Sequence, residues 1–406
     1  MANAYSLQSR YDRPVRIPIL QEEFRMRRFV ISLTALSLIS LAWAQEKSKD
    51  EAKKPEPLSR ADQYKAIAKE SQDAANEFLK AYRETNVKDE KAKALEGYRA
   101  APKKLAPKML ELAKAKPDDE TACDAAIWLV QNIQNENEGK QAIEIIRKHH
   151  MTSPKMATAV GAFGYALGND APAFLQDVFD KNPDKKVKAF TLRTMASKAT
   201  DAAVDYTTAE KDIPVKAAAA EKLWARLQAE FGDVEWGQAK LGSMAKDELD
   251  MIKNLFPGSK SPDITGEDTE GKPMKLSDFK GKVVMLDFWG TWCGPCMQMV
   301  PHNVEVTKKY ADKPFVLVGV NSDRDKEKLA KRMAEEKITY RSFWNGEEGA
   351  AGPISKDWKV QGWPTVVLID HKGVIRRRFL GSPDTAAERK GLDQALETLI
   401  KEAEAK

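Results

Sequence analysis

Residues 287–296 read Asp-Phe-Trp-Gly-Thr-Trp-Cys-Gly-Pro-Cys, and this stretch holds two of the three cysteines in a chain of 406 residues. The apolar run Val283-Val284-Met285-Leu286 leads into it and fits a short buried strand. A helix opening near Cys293 and running to about Tyr310 follows. Proline suits a first helical turn, because its missing N–H costs nothing there, and Gly294-Pro295 is placed accordingly. The unpaired N–H groups and the positive end of the helix dipole then face the Cys293 sulfur. They favour the thiolate, the nucleophilic form, and lower its pKa from about 8.5. Cys296 lies one turn later, more shielded and within reach of a mixed disulfide on Cys293. Attack by one sulfur and release by the other is the geometry of thiol–disulfide exchange.

Other uses of two such cysteines fit less well. A structural bridge across so small a loop gains little chain entropy. Zinc needs four ligands, and the chain has one C-x-x-C, no second pair and only His302 nearby, so no metal is expected. A P-x-x-x-T-x-x-C peroxidase pattern is absent, because Leu286 and Gly290 precede Cys293 at those positions. No cofactor is expected beyond a redox-active Cys293–Cys296 pair. Cys123 shares the helical stripe Cys123, Ala126, Ile127, Val130 and reads as a small core residue.

On either side of the cysteines the pattern continues. Upstream, residues 263–279 (DITGEDTEGKPMKLSDF) read as a hairpin. Downstream come a strand over Phe315–Asn321, a charged helix over Asp325–Glu336 and a loop rich in Gly and Trp. Residues 365–370 (TVVLID), the turn His371-Lys372-Gly373 and residues 374–380 (VIRRRFL) form a second hairpin, and a last helix runs to Ala403. Strand, helix, strand, helix, strand, strand, helix predicts a three-layer α/β/α domain over 255–406 with a central mixed sheet.

Residues 61–250 differ in texture. Rich in Ala, Lys, Glu and Leu, they predict an all-α domain of stacked helical hairpins, interrupted at KPDD (116–119), TSP (152–154), GNDAP (168–172), NPD (182–184) and DIP (212–214). No repeat family is recognisable. His149 and His150 near one helix end read as a helix-end cap or a solvated pair. Residues 45–60 are rich in Lys, Glu and Pro and predict a charged linker.

At the N-terminus, Arg27-Arg28 precedes an apolar run from Phe29 to Trp43 ending in Ala42-Trp43-Ala44. A positive start, a short apolar core and an A-x-A site predict a signal peptide over 1–44, with Met26 as an alternative start. The run is short for a membrane span, which needs about 20 apolar residues, so membrane attachment follows only if it stays uncleaved. Export to the periplasm or another extracytoplasmic space is therefore expected. Hydrophobic residues make up 42% of the chain and charged residues 31%, with 66 basic against 61 acidic side chains, a net +5. The near-cancelling charges and the lack of a basic stripe interleaved with aromatics argue against nucleic-acid binding.

FWGTWCGPC, Pro301 eight residues after Cys293, and Gly362-Trp363-Pro364-Thr365 before an apolar strand together resemble the thioredoxin superfamily. The hairpin and the LSDFKGK lead-in are similar to its exported TlpA/ResA-like branch, over about residues 255–403 only. The resemblance implies Cys293 as attacking thiol, Cys296 as resolving thiol and Pro364 as a cis-proline facing the disulfide. Trp292 and Trp363 are implied as an apolar rim, and the backbone at Trp363 as a short edge for a substrate segment. Pro301 would kink the active-site helix, at a position that otherwise costs about 3 kcal/mol. Two departures come together. Met299 stands where the branch commonly has a glutamate, and Asp287 stands at the buried aspartate position of thioredoxin itself. A carboxylate buried there has its pKa raised by desolvation and can take the proton of Cys296. Thioredoxin's partner lysine falls near Gly319 and is missing.

The expected activity is a protein-disulfide oxidoreductase, a reductase rather than an oxidase, with protein thiols or disulfides as substrates and a membrane-embedded electron donor. The alternatives are a partner-binding helical scaffold with an accessory redox domain, and a thiol-dependent peroxidase.

Overall fold

The structure, a computed structural model, describes residues 57–85, 87–133 and 136–405. The expected leader (1–44) and all but the last residues of the expected linker (45–60) lie outside the described residues.

The helical region contains α1 (Arg60–Glu84), α2 (Lys88–Ala115), α3 (Glu120–Asn132), α4 (Asn137–His149) and α5 (Val160–Ala166). It continues through α6 (Ala171–Lys181), α7 (Lys185–Ala203), α8 (Ile213–Phe231) and α9 (Leu241–Leu255). Helices adjacent in sequence pack on one another, as in α1 on α2 and α8 on α7 and α9. The interruptions in the sequence become helix starts. Asp119 accepts from the N–H of Ala122 at 2.9 Å and Asp184 from that of Val187 at 2.9 Å, each satisfying an orphan donor worth about 1 kcal/mol. Pro214 sits in the first turn of α8.

Two details depart from expectation. A two-stranded ribbon, β1 (Glu235–Trp236) with β2 (Ala239–Lys240), interrupts the helices before α9. It is fixed by Trp236, which lies edge-on to Phe190 at 4.5 Å and under the Arg193 guanidinium at 4.2 Å. His150 is the C-cap of α4, but it is buried rather than solvated, and burial lowers its pKa. Cys123 is buried, with its thiol 3.6 Å from the Ser153 hydroxyl, and burial raises its pKa.

The C-terminal region is a thioredoxin-like domain. A hairpin of β3 (Thr265–Glu267) and β4 (Pro273–Lys275) precedes β5 (Val283–Trp289), α10 (Gly294–Lys309), β6 (Phe315–Asn321) and α11 (Lys326–Glu335). After these come β7 (Ser342–Trp344), α12 (Pro353–Asp357), β8 (Thr365–Ile369), β9 (Ile375–Leu380) and α13 (Ala386–Glu404). The five-stranded sheet has the order β7-β6-β5-β8-β9. β5, β6 and β7 run parallel, while β8 is antiparallel to both β5 and β9. Every residue of β5 is buried, as befits a central strand covered on both faces. Neither β7 nor α12 was expected; both lie in what reads as a Gly- and Trp-rich loop and are too short to show a period.

Alternation along β5 sorts its side chains onto two faces. Val283, Met285 and Trp289 share a core with α10, α11 and α13, including Val300, Leu329, Leu392 and Leu396. Val284, Leu286 and Phe288 belong to the other core. That second core is continuous with the helical region through Leu241, Met251, Leu255 and Phe256. The helical region therefore helps to bury the back of the sheet. It also reaches the front, where Tyr206 stacks on Phe379 at 4.1 Å and donates its hydroxyl to the Gly381 carbonyl at 2.6 Å.

Candidate active site

The end of β5 delivers the chain to α10 through a turn held from outside. The N–H and hydroxyl of Thr291 both donate to Asp323, at 2.8 and 2.5 Å, and Asn321 donates to the same carboxylate at 2.8 Å. Trp292 folds back so that a Cβ on Gly290 would lie 2.6 Å from the indole nitrogen, which accounts for glycine there. Cys293 is the N-cap of α10, and its sulfur accepts from the N–H of Cys296 at 3.1 Å. Gly294 and Pro295 occupy the first turn, and Cys293 and Cys296 are joined as a disulfide. Both cysteines are almost fully buried.

Around this pair stand the other residues singled out in the sequence. Trp292 is 54% exposed, and its ring lies 5.7 Å from that of half-buried Trp363, so the two form one rim. The Trp363–Pro364 peptide bond is cis. A groove of about 450 Å³ opens beside Trp292, with Arg324, Asp325 and Lys328 along it. Pro301 lies within α10 and Met299 is buried on its inner face.

Asp287 is fully enclosed rather than at a solvated strand edge. It projects from β5 on the face shared with α10, where Asn303 donates to its Oδ2 at 2.9 Å. Cys296, Met299, Val300 and Asn303 fall at helical spacing along the inner stripe of α10, so Asn303 lies two turns below Cys296 on the same face. Burial raises the Asp287 pKa to about 7, against the lowering effect of the Asn303 amide. Tyr340 is buried nearby, edge-on to Trp289 at 6.2 Å; burial and then the Asp287 charge push its pKa up. Among the described residues the buried Asp287 Oδ1 has no hydrogen-bond partner.

The strand register settles the missing lysine. Asp287 lies opposite Gly319 on β6, and a Cβ on Gly319 would meet the Ser342 hydroxyl at 2.1 Å and the Trp289 indole at 2.7 Å. No side chain fits there, so an amide and a phenol surround Asp287 instead of an ammonium. Sequence reading missed both. Asn303 was detectable as a polar residue on an otherwise apolar helix stripe; Tyr340 sits in a connection with no period to mark it. Among the described residues no group of three or more His, Cys, Asp or Glu side chains is placed to hold a metal ion.

A thioredoxin-like sheet ending in a disulfide-bonded C-x-x-C at a helix N-terminus is the arrangement of a thiol–disulfide oxidoreductase. Residues 256–396 match the redoxin family, and the chain belongs to it through this domain. Thioredoxin-like protein YneN of Bacillus subtilis is 34% identical over 126 residues, covering 31% of this chain and 72% of that one. Thiol-disulfide oxidoreductase ResA of Bacillus thuringiensis subsp. konkukian is 34% identical over 124 residues, covering 30% of this chain and 69% of that one. The thioredoxin domain of a thiol-disulfide oxidoreductase from Bacteroides vulgatus is 28% identical, with a TM-score of 0.32 over 36% of this chain and 99% of that structure.

Proposed function

We propose that the chain is an extracytoplasmic reductase of protein disulfides. The Cys293 thiolate attacks one sulfur of a substrate disulfide, forming a mixed disulfide and releasing the other sulfur as a thiolate. Cys296 then loses its proton to Asp287 and attacks the Cys293 sulfur, releasing the second substrate thiolate. Two electrons pass to the substrate, whose two thiolates become a dithiol with one proton returned from Asp287 and one from water, and the Cys293–Cys296 disulfide is left for an external, membrane-embedded donor to reduce.

The observation that carries this reading is the Cys293-Gly294-Pro295-Cys296 disulfide at the start of α10, with Asp287 enclosed beneath that helix. A carboxyl group with a pKa of about 7, on the sheet face that packs against the Cys296 side of α10, suits proton transfer near neutral pH. Among the described residues no donor reaches its Oδ1, whereas Asn303 donates to Oδ2, which supports Oδ1 as the atom that takes the proton. The Trp292–Trp363 rim and the backbone preceding Pro364 dock the segment around the substrate disulfide. Extracytoplasmic placement rests on the N-terminal Arg-Arg, apolar and A-x-A pattern; among the described residues no helix is long and apolar enough to cross a membrane.

Reduction of insulin disulfides with dithiothreitol as donor tests the activity. The wild-type chain turns over and Cys293→Ser does not; turnover surviving in Cys293→Ser would sink the assignment. A reduction potential near the roughly −270 mV of thioredoxin, rather than about −120 mV, marks a reductase. In Cys296→Ser the mixed disulfide with the natural substrate accumulates and can be identified.

A further inference from the structure

The buried stripe of α9 is Leu241, Ala245, Glu248, Met251, Ile252 and Leu255, in which one carboxylate takes an apolar position. Burying a charge is costly unless it is paired, so Glu248 calls for a partner. It finds one outside the helical region: the Gln361 amide donates to its Oε1 at 2.5 Å. The preceding acid does the same, with Asp247 2.7 Å from the Lys359 ammonium. Both partners lie in the segment 358–364, which carries Trp363 and Pro364 to the rim of the disulfide.

That segment needs holding. Lys359 has a φ of +49°, a left-handed conformation that costs a residue with a Cβ roughly 1–2 kcal/mol. Arg378 of β9 donates to the carbonyls of Trp358 and Lys359 at 2.9 and 3.3 Å, and Trp358 is buried against Phe288 at 5.8 Å. These contacts fix the start of the segment. Glu248 fixes its middle, two residues from Trp363.

We propose that α9 is an integral part of the redox site: Asp247 and Glu248 position the 358–364 segment, and through it Trp363 and Pro364, for docking of a protein substrate beside Cys293. The docking half rests on the reductase reading above; the positioning half does not. A loop released from its ties must be ordered again by each substrate, which weakens binding without altering the sulfur chemistry. Asp247 and Glu248 are thus positioning residues acting through the loop.

The test uses the full chain and an Asp247→Ala/Glu248→Ala double variant. Amide exchange over 359–365 is expected to accelerate about tenfold or more, with exchange in α10 unchanged. The KM for insulin is expected to rise about fivefold, the loss of roughly one hydrogen bond, with a smaller change in kcat. Gln361→Ala removes the same bond from the loop side and replaces the double variant if that fails to fold. Glu248→Gln keeps an acceptor for the Gln361 amide and stays close to wild type in both measurements. Unchanged exchange over 359–365 in both the double variant and Gln361→Ala overturns the positioning role; faster exchange with unchanged KM overturns the docking role. A wild-type chain that does not reduce insulin overturns the reductase reading alone, because exchange still decides the positioning.

Discussion

One buried carboxylate in front of the sheet and one on α9 behind it each accept a hydrogen bond from a carboxamide. In front, Asn303 donates to Asp287 at 2.9 Å; behind, Gln361 donates to Glu248 at 2.5 Å. Burial raises both pKa values. The difference lies in what else is near. The charge of buried Arg378, whose own pKa is pushed down to about 10, favours ionised Glu248. Among the described residues no cation acts on Asp287 in this way. The same pair of groups therefore stands beside a guanidinium behind the sheet and, among the described residues, without a cation in front of it.

The contrast can be broken most forcefully at Asp287. Its pKa of about 7 in the fold against 3.8 for the free group means that the ionised form is penalised only in the folded state. The penalty is absent below both values, grows as pH rises from 4 to 7, and is complete above. Asp287→Asn is expected to stabilise the protein by ~4 kcal/mol at pH 8 and by only ~1 kcal/mol at pH 4.5, read by urea titration. The same variant should slow resolution by Cys296 at pH 7 by about 10²-fold, the usual scale of general-base catalysis. Equal stabilisation at both pH values would remove the claim that the front carboxylate titrates.

Arg378→Met comes next in size, because it strips the Glu248–Gln361 pair of its cation and leaves two carbonyls unpaired. A loss of about 3 kcal/mol is expected at pH 7. The Glu248 pKa should rise further, so that the loss of stability with rising pH above about 4.5, already present in the wild-type chain, becomes larger and the back face resembles the front. Asn303→Leu removes the amide that holds the Asp287 pKa down. The acid limb of the pH–rate profile should move up by roughly one pH unit, on the order of one hydrogen bond. Trp292→Ala has the smallest effect on stability, within about 0.5 kcal/mol, because the ring is half exposed. Its insulin KM should nonetheless rise, since the ring belongs to the rim.

Much of the front face was legible in the sequence. An unbroken apolar strand, a helix opening with Cys-Gly-Pro-Cys and a later Trp-Pro-Thr before another strand place Cys293, Cys296, Asp287 and Pro364 on named elements, and the register sets Asp287 against Gly319. The back face was less so. Periodicity marks the apolar side of α9, yet it cannot say that Leu255 and Phe256 extend the core behind β5. Glu248 did leave a signal, an acid at a stripe position, of the same kind that Asn303 leaves on α10. Each is a polar residue where the helical period calls for an apolar one, and each makes a long-range contact that a single sequence does not encode. β7, with three residues and a pairing set by β6, had no local pattern to read.

The continuous core behind the sheet makes the two regions one energetic unit. Removing the chain up to residue 250 would split α9 and take Leu241 and Ala245 out of the core that also holds Val284, Leu286, Val367 and Ile369. The same continuity works in the other direction. A partner that binds the folded helices, and not the unfolded chain, stabilises the disulfide site by RT ln(1 + [L]/Kd) without touching it. Occupancy at one end of the molecule then sets how often the other end opens.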